Sequence, residues 1–84
     1  MINTFELYVK TRCPWCVTAQ EWLDTRGYEY ELIDVLADRA DYDKMIALSG
    51  QRYTPTLVIN GDQVLADFGP EELEPFLKKL SLAP

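Results

Sequence analysis

The chain has 84 residues, of which 48% are hydrophobic and 26% are charged, and its formal net charge is −6. This composition is typical of a globular protein, and the length predicts one small domain over residues 1–84. No apolar run approaches the roughly 18 residues of a membrane-spanning helix. The acidic balance argues against a nucleic-acid partner, because such proteins usually present a clustered basic face.

Alternating apolar and polar residues predict a first strand at Phe5–Val9. A short basic loop, Lys10–Arg12, leads into a helix that begins at Pro14 and ends at a glycine cap, Gly27. Residues Tyr28–Val35 alternate again and predict a second strand parallel to the first. These three elements form one right-handed β-α-β unit.

A second helix is predicted over Ala37–Leu48, with Gly50 as its stop signal. The β-rich run Thr56–Ile59 is followed by the turn dipeptide Asn60-Gly61, which predicts an antiparallel fourth strand at Gln63–Ala66. The acids expected on a solvated face of the second helix are Asp38, Asp41 and Asp43.

The last helix is predicted to begin at Pro70, with two acids in its first turn. Pro75 lies inside this region and predicts that the helix starts late or bends there. The apolar stripe of this helix consists of Leu73, Phe76, Leu77 and Leu80. The resulting order, β-α-β-α-β-β-α, predicts an α/β fold with a four-stranded mixed sheet flanked by three helices.

The sequence contains two cysteines, Cys13 and Cys16, at the predicted junction of the first strand and helix. The first helical amides would favour negative charge on Cys13, lowering the pKa of its thiol and raising the fraction of reactive thiolate. Cys16 is close enough to close a disulfide ring with it. Permanent disulfides are unusual in a reducing cytosol, which favours a catalytic or metal role. The sequence has no histidine, which excludes a Cys-His nucleophile and a Cys2His2 zinc site.

The segment Lys10–Cys16 after the first strand, Thr54-Pro55 before the third strand and a terminal helix occur in this order and spacing. Together they resemble the glutaredoxin branch of the thioredoxin-like fold, over essentially the whole chain. The resemblance implies a thiol-disulfide oxidoreductase in which Cys13 attacks the target disulfide and Cys16 resolves the mixed disulfide. It also implies a cis peptide bond before Pro55, facing the two sulfurs.

The resemblance further implies how glutathione or a target peptide binds. The Thr54 backbone would pair with the incoming cysteine, and Lys10 with Gln51 or Arg52 would hold a glutathione carboxylate. A cation at Arg12 should help the Cys13 thiolate. The complete set of residues expected at the substrate is Lys10, Arg12, Trp15, Gln51, Arg52, Thr54, Pro55, Asp67 and Phe68. Lys10 as a solvated charge and Asp67 as a turn residue remain open alternatives.

The stretch from Ala66 to Glu72 departs from the family pattern, which has two glycines, a Cys or Ser and two acids there. Pro70 lacks an amide donor that such a loop would use. The run Phe68–Glu71 is loosely similar to glutaredoxin-like electron donors that serve ribonucleotide reductase and are recharged by thioredoxin reductase. Two reductants therefore remain open, namely glutathione with glutathione reductase, or thioredoxin reductase.

The remaining expectations concern the protein's surroundings. Met1–Thr4 lead directly into the first strand without the features of a signal peptide, which predicts a cytoplasmic protein. We expect a monomer without a permanently bound cofactor or metal, with glutathione as co-substrate and disulfide-containing proteins as partners. We expect neither nucleic acid nor a membrane as a partner. The alternatives are a dimer that bridges an iron-sulfur cluster or zinc through Cys13, and an inert disulfide-stapled interaction domain.

Overall fold

The computed structural model describes residues 3–84, so Met1 and Ile2 lie outside the described part. Its elements in chain order are β1 (Phe5–Val9), α1 (Pro14–Thr25), β2 (Glu31–Asp34), α2 (Arg39–Ser49), β3 (Thr56–Ile59), β4 (Gln63–Ala66), a 3-10 turn (Pro70–Glu72) and α3 (Leu73–Lys79). The strands form one sheet in the order β2-β1-β3-β4. β2 runs parallel to β1, and the other neighbours are antiparallel. This is the thioredoxin-like α/β fold that the sequence predicts.

Both faces of the central strand β1 are buried. Leu7 faces a cluster that includes Leu23 of α1 and Leu77 of α3. Tyr8 faces the opposite way, toward a second cluster with Met45 of α2, and is fully buried. Tyr8 stands on the polar side of the predicted alternation. It is buried because β1 is an inner strand covered by helices on both faces.

Glycine ends α1 in the way the sequence predicts. Gly27 has φ 79°, a left-handed conformation that glycine adopts without a steric penalty. Its N–H donates to the Asp24 carbonyl over 3.1 Å, and the Tyr28 N–H donates to the Leu23 carbonyl over 3.0 Å. These two bonds are the paired cap that satisfies the last carbonyls of a helix.

The second strand is shorter than predicted, because the two tyrosines before it belong to the packing around α1. The Tyr28 ring stacks with Trp22 at 6.0 Å between centroids. The Tyr30 hydroxyl donates to Asp24 Oδ1 over 2.9 Å. Regular pairing with β1 therefore begins only at Glu31.

The second helix begins two residues later than predicted, at Arg39. Asp38 is its N-cap, and its carboxylate accepts the Ala40 N–H over 2.9 Å. Asp38 is exposed, as predicted, but it caps the start of the helix and does not lie on the helix face. A carboxylate at this position satisfies one of the amides that a helix start leaves without a partner.

The last helix starts late, as Pro75 suggested. Residues Pro70–Glu72 form a 3-10 turn, and α3 follows from Leu73. Pro75 then lies in the first turn of α3, where a missing N–H costs no helical hydrogen bond. Within residues 3–84, none of the helices combines the length and the apolar character needed to cross a bilayer.

Candidate active site

The two cysteines lie where β1 ends and α1 begins, and they are joined as a disulfide. Cys13 is the N-cap of α1 in an extended conformation, and Pro14 is the first helical residue. Cys13 is half-buried, whereas Cys16 is only 1% exposed. An incoming disulfide can therefore reach the Cys13 sulfur, while the protein covers Cys16.

Two hydrogen-bond donors point at the Cys13 sulfur. The Cys16 N–H lies 3.2 Å from Cys13 Sγ, and the Thr54 hydroxyl oxygen lies 3.6 Å from it. The Thr54 carbonyl oxygen is 3.9 Å away. Donors of this kind stabilise a thiolate once the disulfide is reduced.

Thr54 reaches the disulfide from the loop before β3. The peptide bond between Thr54 and Pro55 is cis, as the resemblance implies. Pro55 is buried, and its carbonyl accepts the Asp67 N–H over 2.9 Å. This bond brings the start of the loop between β4 and α3 next to the disulfide.

Lys10 links the end of β1 to the loop after α2. Its ammonium donates to the Arg52 carbonyl over 2.9 Å and lies 5.1 Å from the centroid of the Tyr42 ring. The Tyr42 hydroxyl donates to the same carbonyl over 3.3 Å. Lys10 is thus held against this loop by an exposed hydrogen bond, and its ammonium keeps further donors. The Arg12 and Arg52 side chains are exposed.

Gln51 is committed to bonds inside its own loop. Its side-chain amide donates to the Ser49 hydroxyl over 2.8 Å and to the Thr56 hydroxyl over 3.0 Å. Its carbonyl accepts the Tyr53 N–H over 2.7 Å. The structure therefore places Gln51 beneath the loop that carries Thr54, with its donors directed away from a ligand.

A groove of about 210 Å³ lies between Trp15 of the segment that carries the cysteines and the loop after β4, and it is lined by Trp15, Asp67, Phe68, Gly69 and Glu71. Trp15 is 59% exposed. Phe68 is only 2% exposed and packs in the core with α1 and α3, so a ligand would meet little of its surface. Asp67 is exposed and has φ 51°.

Sequence reasoning did not single out Gly69, Glu71 or Glu72 as site residues. The run Pro70-Glu71-Glu72 was interpreted as a helix start and as part of the loop that departs from the family pattern. In the structure it forms a 3-10 turn ahead of α3. The two acids in this run could have indicated site residues, because the segment after β4 and the loop after β1 lie at the same end of the sheet. Tyr53, which was not among the predicted site residues, precedes Thr54 in the same loop and is 54% exposed.

A thioredoxin-like fold with a disulfide-forming cysteine pair at a helix N-terminus defines a thiol-disulfide oxidoreductase. Residues 5–64 match the glutaredoxin family model, and the chain belongs to the glutaredoxin family.

Relatives with this fold cover nearly the whole chain. A glutaredoxin-like 8.6 kDa protein encoded in the rubredoxin operon of Clostridium pasteurianum is 26% identical over 74 residues, 88% of this chain and 97% of that protein. The crystal structure of the thioredoxin-like protein BC3987 is similar, with 35% identity, a TM-score of 0.79, and coverage of 88% of this chain and 100% of that one. The glutaredoxin-like NrdH-redoxin from Escherichia coli shares the fold at 23% identity and a TM-score of 0.73, over 96% of this chain and 99% of that one.

Proposed function

We propose that this protein reduces disulfides in other proteins, and their mixed disulfides with glutathione, with Cys13 as nucleophile and Cys16 as resolving thiol. The observation that supports this most directly is the difference between the two sulfurs. Cys13 is reachable and faces the Cys16 N–H and the Thr54 hydroxyl, whereas Cys16 is 1% exposed. A reachable and stabilised thiolate attacks first, and a covered thiol one turn away resolves.

The reaction takes two electrons from the chain. The Cys13 thiolate attacks one sulfur of the target disulfide, and the other sulfur leaves as a thiolate. Cys16 then loses its proton and attacks the Cys13 sulfur, so the second target sulfur leaves as a thiolate. The product is the Cys13–Cys16 disulfide, which an external reductant must reopen.

Glutathione is the first candidate for this reductant, in a cytoplasmic setting. The Thr54 backbone lies beside the Cys13 sulfur, where it can pair with the cysteine of the tripeptide. Lys10 is held at one side of the site with donors to spare, and the exposed Arg52 adds a second cation. These cations suit a glutathione carboxylate.

Thioredoxin reductase is the second candidate, and the contacts of the groove favour it. The Gly69 N–H already donates to the Glu72 carboxylate over 2.9 Å, and Pro70 has no N–H. Asp67 and Glu71 line the same groove, so a further carboxylate from glutathione would be repelled there. The E. coli NrdH-redoxin, described as having a thioredoxin-like activity profile, shares this fold.

Coupled oxidation of NADPH distinguishes the two reductants. The oxidised protein and a disulfide-containing protein are supplied either with glutathione and glutathione reductase or with thioredoxin reductase alone. Turnover only with the first pair supports glutathione, and turnover only with the second enzyme contradicts it. If neither system works and reduced Cys13 also fails to react with a model disulfide, the proposed function itself is wrong.

A further inference from the structure

The groove of about 210 Å³ adjoins the segment that carries the two cysteines. Trp15 stands between the two cysteines in the sequence and forms one wall. Asp67 forms another wall and is fixed by the bond from its N–H to the Pro55 carbonyl. Because Trp15 belongs to the segment that carries both cysteines, residues next to a target cysteine that reaches Cys13 would come near this groove.

The groove is negatively charged. Asp67 and Glu71 line it, and Glu72 follows on the same turn. The Glu71 carboxylate folds back against Gly69. A Cβ added to that glycine would lie only 2.6 and 2.7 Å from the two carboxylate oxygens. Within residues 3–84, the salt bridges join other residues, and none neutralises these three carboxylates.

The aromatic wall and the carboxylates together select one kind of side chain. Trp15 presents an indole that is 59% exposed, and cations bind over such a face. Glu71 supplies a carboxylate in the same groove, where an ammonium or guanidinium group would be paired. A volume of about 210 Å³ accommodates a single long side chain.

We infer that this groove binds a lysine or arginine side chain of the target polypeptide, close in sequence to the cysteine that Cys13 attacks. The inference rests on the proposed function, because it needs a polypeptide disulfide at Cys13. It adds a specificity for targets with basic residues beside the reacting cysteine. The favourable residues in the groove are Trp15, Asp67 and Glu71.

Symmetric peptide disulfides provide the test. Each short peptide has one cysteine, with lysine, norleucine or glutamate two residues away on both sides, and is oxidised to its disulfide dimer. Attack on either sulfur is then equivalent, and each turnover releases two reduced peptides. The fully reduced protein is mixed with each dimer in a single turnover, and chromatography follows the reduced peptide.

We expect the lysine peptide to react roughly three to ten times faster than the norleucine peptide, and the glutamate peptide to react more slowly than both. The ratio of lysine to norleucine rates should fall toward one in Glu71→Gln, and also at high salt. Asp62→Asn is the matched control, since it removes the same charge in the β3–β4 turn at the far end of the sheet. It should keep the wild-type ratio.

The outcomes separate this inference from the proposed function. Equal rates for the three peptides, or the same loss of preference in Asp62→Asn as in Glu71→Gln, would overturn the basic-residue specificity. A protein that reacts with none of the peptides would instead overturn the role of Cys13. The norleucine peptide keeps these cases apart, because its reaction needs only the thiol chemistry.

Discussion

At the residue scale, the neighbours Gln51 and Arg52 differ in their surroundings. Either Gln51 or Arg52 was predicted to hold a glutathione carboxylate together with Lys10, and the sequence could not separate them. In the structure the loop turns Gln51 inward toward Ser49 and Thr56 and leaves Arg52 exposed. The Lys10 ammonium donates to the backbone carbonyl of Arg52, so the Arg52 guanidinium takes no part in this bond.

Replacing Gln51 should therefore affect stability. In Gln51→Met the buried Thr56 hydroxyl and the Tyr53 N–H lose a partner, so the free energy of unfolding should fall by about 1–3 kcal/mol. Urea denaturation of the oxidised protein measures this. Arg52→Met, the matched exposed change, should stay within about 0.5 kcal/mol of wild type. Equal losses in the two variants would contradict the structural role of Gln51.

At the element scale, α2 depends on a cap that hydrophobic periodicity does not reveal. The apolar spacing of the second helix predicts its existence and its end at Gly50, which has φ 70°. Its start is set by the Asp38 carboxylate on the Ala40 N–H. An acid one or two residues into a helix and an acid at its cap have similar sequence surroundings, so the boundary was misplaced.

Removing this cap should lower the free energy of unfolding by about 1 kcal/mol, the usual effect of replacing a capping aspartate by alanine. Thermal or urea unfolding of Asp38→Ala measures the loss. Asp43→Ala is the control on the same helix, because its salt bridge to Arg39 is exposed and should contribute less than about 0.5 kcal/mol. A larger loss in the control would show that the cap is not what holds the start of α2.

The segment between α1 and β2 should make stability depend on alkaline pH. Burial and the hydrogen bond to Asp24 raise the pKa of Tyr30 to about 12, from an ordinary value of 10.0. The neutral phenol is thus favoured by folding. Its contribution is complete below pH 10 and is lost as the pH rises from about 10 to 12.

Urea midpoints at pH 8 and pH 11 check this dependence. The difference between wild type and Tyr30→Phe should be larger at pH 8 than at pH 11, because the wild type loses its advantage as the phenol ionises. Tyr53→Phe removes an exposed hydroxyl and should give the same small difference at both pH values. A difference for Tyr30→Phe that does not change with pH would contradict the assignment.

For the whole molecule, the sequence predicts the order of the elements and the place of the disulfide because both depend on local patterns. Period-two runs, glycine caps and the turn at Asn60-Gly61 identify the elements, and the spacing of Cys13 and Cys16 identifies the reactive pair. The groove depends on contacts between distant segments, such as the Asp67 N–H on the Pro55 carbonyl. Such contacts leave no local pattern, which is why the sequence points to the loop from Ala66 to Glu72 without identifying Glu71 as a residue that lines the groove.

The same reasoning explains why the second strand starts later than predicted. Alternation continues through Tyr28 and Tyr30, so the pattern extends the strand too far. The hydroxyl of Tyr28 donates to the Leu82 carbonyl over 3.1 Å, and Tyr30 bonds to Asp24. Partners near the end of α1 and in the segment after α3 therefore keep these residues out of the sheet.

The account depends most on Cys13 attacking first, and intact-mass spectrometry of the two single-cysteine variants tests this directly. Reduced Cys16→Ser and Cys13→Ser are mixed with the norleucine peptide disulfide, and the mass of one bound peptide is followed over time. We predict that Cys16→Ser forms the mixed disulfide rapidly, and that Cys13→Ser forms it at least about tenfold more slowly, because Cys16 is covered. Equal rates in the two variants, or faster trapping in Cys13→Ser, would contradict the assignment of Cys13 as the nucleophile.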